Sequence, residues 1–189
     1  MEPTVRVGVT VTFLRMDRRP PDAAPGLPDG ATVVEQPRCS VAFYRYLYDT
    51  VGAPYVWWLR RAMPDAELAA QLHDPRVAIH VLYLDGEPAG FCELDARAVF
   101  GRTQDVNLSY FGLMPQAVGR GMGYAFLRHT VDMVWAGGAQ GMTVNTCTAD
   151  HARALPSYLR AGFRVVRRVD ETWDVPLRLG LKIPEHLRV

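Results

Sequence analysis

A chain of 189 residues with 49% hydrophobic side chains is long enough to bury its own core and too apolar for wholesale disorder. Its net charge of +1 offers no field to attract nucleic acid or an anionic membrane surface. Cys39, Cys92 and Cys147 stand apart, with no CxxC pair and no nearby His at ligand spacing, which argues against a metal site and fits a reducing cytoplasm.

Val5, Val7, Val9, Val11 and Phe13 recur at period two, the pattern of a half-buried strand rather than the apolar segment of a signal peptide. No later stretch approaches the ~20 apolar residues of a membrane helix. Asp17 to Pro37, rich in Pro, Gly, Asp and Ala, reads as a long irregular loop. Ser40 is placed to cap a helix running to about Thr50, with Gly52 ending it. A short aromatic segment holds Tyr55, Trp57 and Trp58, and Pro64 opens a second helix through Leu72. Val77 to Leu84 and Pro88 to Leu94 read as strands joined by an Asp85-Gly86 hairpin turn. A third strand covers Asp105 to Met114. Phe126, Leu127, Thr130, Val131, Val134 and Trp135 mark the buried face of a helix that stops at Gly137 and Gly138. Met142 to Thr148 is strand-like, Ala152 to Ala161 helical, and Phe163 to Val175 a last strand or hairpin. An antiparallel meander followed by alternating strands and helices predicts one α/β domain over residues 1–189, with a mixed sheet and an N-terminal strand and loop extension.

The segment from Tyr110 to Leu127 carries the strongest chemical signal. A strand leads into Gly119, Gly121 and Gly123 and then into an amphipathic helix, so backbone N–H groups can turn toward an anion at the helix N-terminus. A Walker A loop needs GK[ST], which is absent, and a dinucleotide fingerprint needs Gly where Tyr124 stands. A tight turn with close helix packing is the plainer reading. Pro115 followed by the Gly119–Gly123 run nevertheless resembles motif A of the GNAT superfamily of N-acetyltransferases, whose pattern [QR]xxGx[GA] departs here only at Val118. The resemblance implies a strongly twisted mixed sheet flanked by helices, with strands splayed at an acetyl-CoA site. It implies that Val118, Gly119, Arg120, Gly121, Met122, Gly123 and Tyr124 wrap the pyrophosphate, and that a backbone N–H of Leu113 or Met114 binds the thioester oxygen.

The run from His151 to Phe163 resembles the same superfamily's motif B. His151 stands where Asn is common; Asp150 is a substitute for that hydrogen bond. Ala154 and Tyr158 lie four apart and share a helix face. By the resemblance, Ala154 leaves room for the pantetheine arm and Tyr158 donates a proton to the departing thiolate, a match supported by a phenol pKa of about 10. A core aromatic is the alternative for Tyr158. Glu93 is the first candidate base, acting through water, with a solvated strand-face carboxylate as the other reading. Asn107 stands where relatives carry Glu and cannot serve.

Tyr44, Tyr48, Tyr55, Trp57 and Trp58 cluster in the helical region that frames the acceptor in this fold. Core packing accounts for most of them. Tyr48, Trp57, Trp58 and Tyr110 are the candidates for an acceptor-facing wall. Cys147 raises an acyl-enzyme, but transfer in a ternary complex needs no nucleophile. The expected activity is acetyl transfer from acetyl-CoA to a primary amine of a small molecule or protein, in the cytoplasm and without metal. A non-catalytic acyl-CoA-binding module is the rival. Pairing of Val5 to Phe13 with a second copy is one route to a homodimer.

Overall fold

The computed structural model describes residues 2–97 and 104–189. The alternating valines form β1 (Thr4–Met16). The segment expected to be irregular contains β2 (Ala31–Glu35), in which no residue is fully buried. Without a buried face it has no alternation to announce it. Ser40 caps α1 (Val41–Gly52), its hydroxyl accepting the Phe43 N–H at 3.2 Å. One unforeseen helical turn, α2 (Leu59–Ala62), precedes α3 (Asp65–Leu72), for which Pro64 is the residue before the first turn. β3 (Val77–Leu84) and β4 (Glu87–Asp95) meet at Asp85 and Gly86, with φ of +51° and +86°, the backbone that this dipeptide favours in a tight hairpin. β5 (Asp105–Leu113), α4 (Met122–Ala136), β6 (Gly141–Cys147), α5 (Ala154–Arg160) and β7 (Arg164–Pro176) complete the order.

The seven strands of the described residues join one sheet in the order β2-β3-β4-β5-β6-β1-β7. β3 to β5 form the expected antiparallel meander, β2 extends it antiparallel to β3, and among the described strands only β5 and β6 run parallel. β1 lies between β6 and β7, pairing antiparallel with both. β6 covers its edge of β1 only over Val11–Met16, and nearer the N-terminus Val7 meets Arg188 in a single antiparallel bridge.

Successive strand residues point to opposite faces, and both faces are covered. Cys92 joins Phe126, Leu127 and Val131 of α4 and Tyr158 of α5 in one core layer. Its neighbour Phe91 joins Tyr44, Leu47 and Val51 of α1 in another. A third cluster packs Val7, Val9 and Val11 of β1 against Val175, Ile183 and Leu187. Among the described residues no helix is long and apolar enough to cross a membrane.

Candidate active site

β5 and β6 pair only from Asp105–Gly141 to Leu108–Val144. Both continue, β5 to Leu113 beside β4 and β6 to Cys147 beside β1. Parallel strands that part midway leave a wedge whose facing backbone edges lack partners from each other, and such groups must be satisfied elsewhere. Asn107 fastens the apex. Its side-chain oxygen accepts from Thr143 at 2.9 Å, and its amide donates to Ser109 at 3.0 Å.

Beyond β5 the chain makes a single turn, Pro115–Ala117, and then an exposed stretch leads into α4. Gly119 and Gly121 have φ of +83° and +81°, a left-handed backbone that other residues resist, and no atom lies within 4 Å of where a Cβ would stand on either. α4 begins without a side-chain cap and without an acid in its first turn. Its leading N–H groups and positive dipole end are therefore open to an anion. Met122 is buried beneath the loop, and Tyr124 fastens the start of α4 to α5: its hydroxyl donates to the Arg160 carbonyl at 3.3 Å, and the Arg160 guanidinium lies 4.0 Å over its ring.

Of the two expected oxyanion donors, Met114 is withdrawn. Its N–H donates to the Ala89 carbonyl at 2.9 Å, and its side chain is sealed in the core. Leu113, the last residue of β5, stays a candidate.

Tyr158 belongs to the same buried cluster as Leu108 and Val144, the residues at which β5 and β6 part. Its ring meets Phe163 edge-on at 5.9 Å. The hydroxyl makes no hydrogen bond with a described residue, and the side chain is buried, 6% exposed. Burial, with Asp150 nearby, pushes the phenol well above the ordinary tyrosine range and holds it protonated. Ala154, at the start of α5, is half-buried, and His151 is exposed, its Nδ1 accepting the Arg153 N–H at 3.1 Å and its ring edge-on to Tyr55 at 6.0 Å.

Glu93 is no solvated strand-face carboxylate. It is completely buried and takes hydrogen bonds from Tyr44, from Arg60 at 2.7 Å and from Gln71 at 3.0 Å. Burial works against the Arg60 charge, but Glu93 outweighs it and keeps the guanidinium cationic. Arg60 in turn lies 5.1 Å over the ring of Tyr110. Neither Arg60 nor Gln71 was legible beforehand, because 33 and 22 residues separate them from Glu93 and no local spacing joins them.

The four wall candidates divide. Tyr48 is sealed, its hydroxyl accepting the Arg60 N–H at 3.3 Å, and Trp58 is half-buried in the cluster that holds the β1 valines and Cys147. Trp57 and Tyr110 are only partly buried, with ring centres 5.0 Å apart, and Tyr110 lies on the unpaired stretch of β5. Trp57 donates from its indole to Asp150 at 3.2 Å. The other Asp150 oxygen takes the Thr146 hydroxyl at 2.7 Å and the Cys147 N–H at 2.9 Å. Asp150 thus joins the aromatic wall to the far edge of the wedge, more than the substitute for His151 that the sequence implied. The Cys147 thiol is pushed up to about 12 by burial, with Asp150 adding to it, which leaves no thiolate for covalent chemistry.

A sequence model described as the Acetyltransferase (GNAT) family matches residues 44–163, a span that holds β3 to β5, the wedge, the Gly loop and Tyr158. The chain belongs to the GNAT family. Solved structures of similar fold include a GCN5-related N-acetyltransferase from Sphaerobacter thermophilus, with 20% identity, a TM-score of 0.60 and coverage of 93% of this chain and 53% of that one. A tandem GNAT protein from the clavulanic acid biosynthesis pathway shares 14% identity at a TM-score of 0.60, covering 92% of this chain and 55% of that one. An aminoglycoside acetyltransferase from an uncultured soil metagenomic sample, in complex with trehalose, shares 14% identity at a TM-score of 0.57 over 70% of this chain and 88% of that one. At these identities the likeness is one of fold. The chain spans only about half the length of the first two. No curated protein matches the sequence.

Membership in the GNAT family implies acetyl transfer, and the family uses acetyl-CoA. The chain fits that group at the loop: Gly119 and Gly121 hold a left-handed backbone with open space where a Cβ would stand, before an uncapped helix with no acid in its first turn. Among the described residues no cluster of ligands could hold a metal ion.

Proposed function

We propose that this GNAT protein moves an acetyl group from acetyl-CoA to a primary amine of a small molecule or a protein, by direct attack in a ternary complex. The observation that carries the reading is the unengaged, protonated Tyr158 hydroxyl in the cluster where β5 and β6 separate, downstream of an open anion cradle. Gly119, Arg120, Gly121 and the first N–H groups of α4 would hold the diphosphate, with Val118 contributing main chain alone. Ala154 leaves space along α5, and Leu113 would offer its N–H to the acyl oxygen. When bound, acetyl-CoA supplies an electrophilic carbonyl and a thiolate leaving group.

The residues of the chain handle the protons. Tyr158 donates from its hydroxyl to the departing sulfur. Asp150, partly exposed and in no ion pair among the described residues, receives a proton from the amine. Glu93, paired with Arg60, acts at one remove by holding that cation over the ring of Tyr110, so it positions the wall and touches no reacting atom. Trp57 and Tyr110 present flat π-faces to the acceptor.

The test is coenzyme A thiol release across a panel of amines, aminoglycosides among them, by the wild type and Tyr158→Phe, alongside calorimetry with acetyl-CoA. The proposal expects amine-dependent release that the substitution suppresses while binding persists. Binding without release by the wild type for any amine would establish a binding module instead.

A further inference from the structure

β7 closes the sheet, and its outer edge pairs with no described residue along Arg164–Pro176. A strand of 13 residues with one whole side of N–H and C=O groups unpaired is a template for another strand. Its sequence is self-complementary in charge. About Val169 as centre, Arg168 mirrors Asp170 and Arg167 mirrors Glu171. Two copies laid antiparallel across a twofold axis at Val169 bring each cation opposite an anion, and each pair occurs twice because the contact is isologous.

We infer that the outer edge of β7 is the homodimer interface, joining two seven-stranded sheets into one continuous sheet. A partner of other sequence would match this pattern only by chance, whereas a second copy matches it by construction. The pleat supports the centre. Arg168 and Asp170 lie on one face of β7 and are exposed, while Arg167 and Glu171 lie on the other. Present contacts leave capacity to spare: Asp170 accepts from Thr10 at 2.6 Å and Glu171 from the Trp173 indole at 2.8 Å, and a carboxylate has further lone pairs to share, while the Arg167 guanidinium, already 4.3 Å over the Phe13 ring, carries five N–H donors. A bulge against β1 between Arg167 and Val165 marks where the new pairing ends, so the ladder covers 167–171 of each copy. Arg167 also lines a cavity of about 360 Å³ with Phe13, Arg15, Asn107 and Asn145, so Glu171 of the second copy would stand at its rim.

Sedimentation of the full chain at micromolar concentration tests the inference. The wild type is expected as a dimer. Arg168→Asp and Asp170→Arg each set like charges opposite one another twice, and each is expected to self-associate about tenfold more weakly or worse. Mixing the two variants restores opposite charges and is expected to restore dimers, as is the double variant Arg168→Asp with Asp170→Arg. Circular dichroism confirms that each variant is folded; should one fail to fold, Val169→Cys is oxidised instead, and a covalent dimer is expected. A monomeric wild type, a dimer indifferent to both reversals, variants that do not recover on mixing, or a Val169→Cys chain that stays monomeric on oxidation each overturns it.

Discussion

Glu93 and Arg60 form a charge pair taken out of water, and the chemistry of such pairs is asymmetric: keeping both is affordable, stranding one is not. Glu93→Ala is expected to lower unfolding free energy by about 3–5 kcal/mol in urea denaturation, since it leaves a buried guanidinium without its partner. Glu93→Gln with Arg60→Met should lose far less; an equal loss would show that packing and not charge sets the cost. Tyr158→Phe is expected to cut turnover about 10²–10⁴-fold while leaving acetyl-CoA affinity within a few-fold, read by thiol release and calorimetry. Tyr44, Tyr48, Tyr110 and Tyr158 share a further property: burial raises the pKa of all four phenols above 10.0 in the folded state. Folded-state values above the unfolded value mean stability that is complete below that value and drains away as pH rises past it. Thermal melts from pH 8 to pH 11 should therefore be level at first and fall steeply beyond about pH 10.

At the scale of elements, the loop between β5 and α4 separates conformational need from packing need. Gly121→Ala introduces a Cβ that meets no protein atom but sits on a left-handed backbone and in the anion cradle. It should weaken acetyl-CoA binding in calorimetry by more than it lowers the melting temperature would imply. Gly112→Ala does the reverse, because its Cβ would fall 2.4 Å from Val51 on α1. Overpacking of that kind should cost about 1–3 kcal/mol of stability in denaturant melts, with little direct effect on the cradle. The same contrast explains what could be read from the sequence. The Asp85-Gly86 turn, the Ser40 cap, the α4 face and the Gly loop are local patterns, each written within a few residues. β2 stayed hidden because an exposed edge strand lacks alternation, and α2 because four residues make no period. The Glu93 network and the engagement of Met114 by Ala89 are products of strand register, which no window of sequence contains.

At the scale of the molecule, the placement of β1 decides how the sheet is held together. β7 has β1 as its sole neighbour among the described strands, and β6 turns from β5 to β1 once the wedge opens. The strand-and-helix alternation foretold a mixed sheet, but not that its first strand would be threaded between its last two. Thr10 shows the span involved: it accepts the Thr148 N–H and donates to Asp170, residues 138 and 160 positions further on. Contacts of such sequence separation slow folding, since the chain must lose loop entropy before they reward it. On a ribosome the consequence is sharper. β1 emerges with both flanks bare and must wait, apolar side chains included, until β6 and β7 have been made, so the nascent protein depends throughout its synthesis on whatever shields those valines.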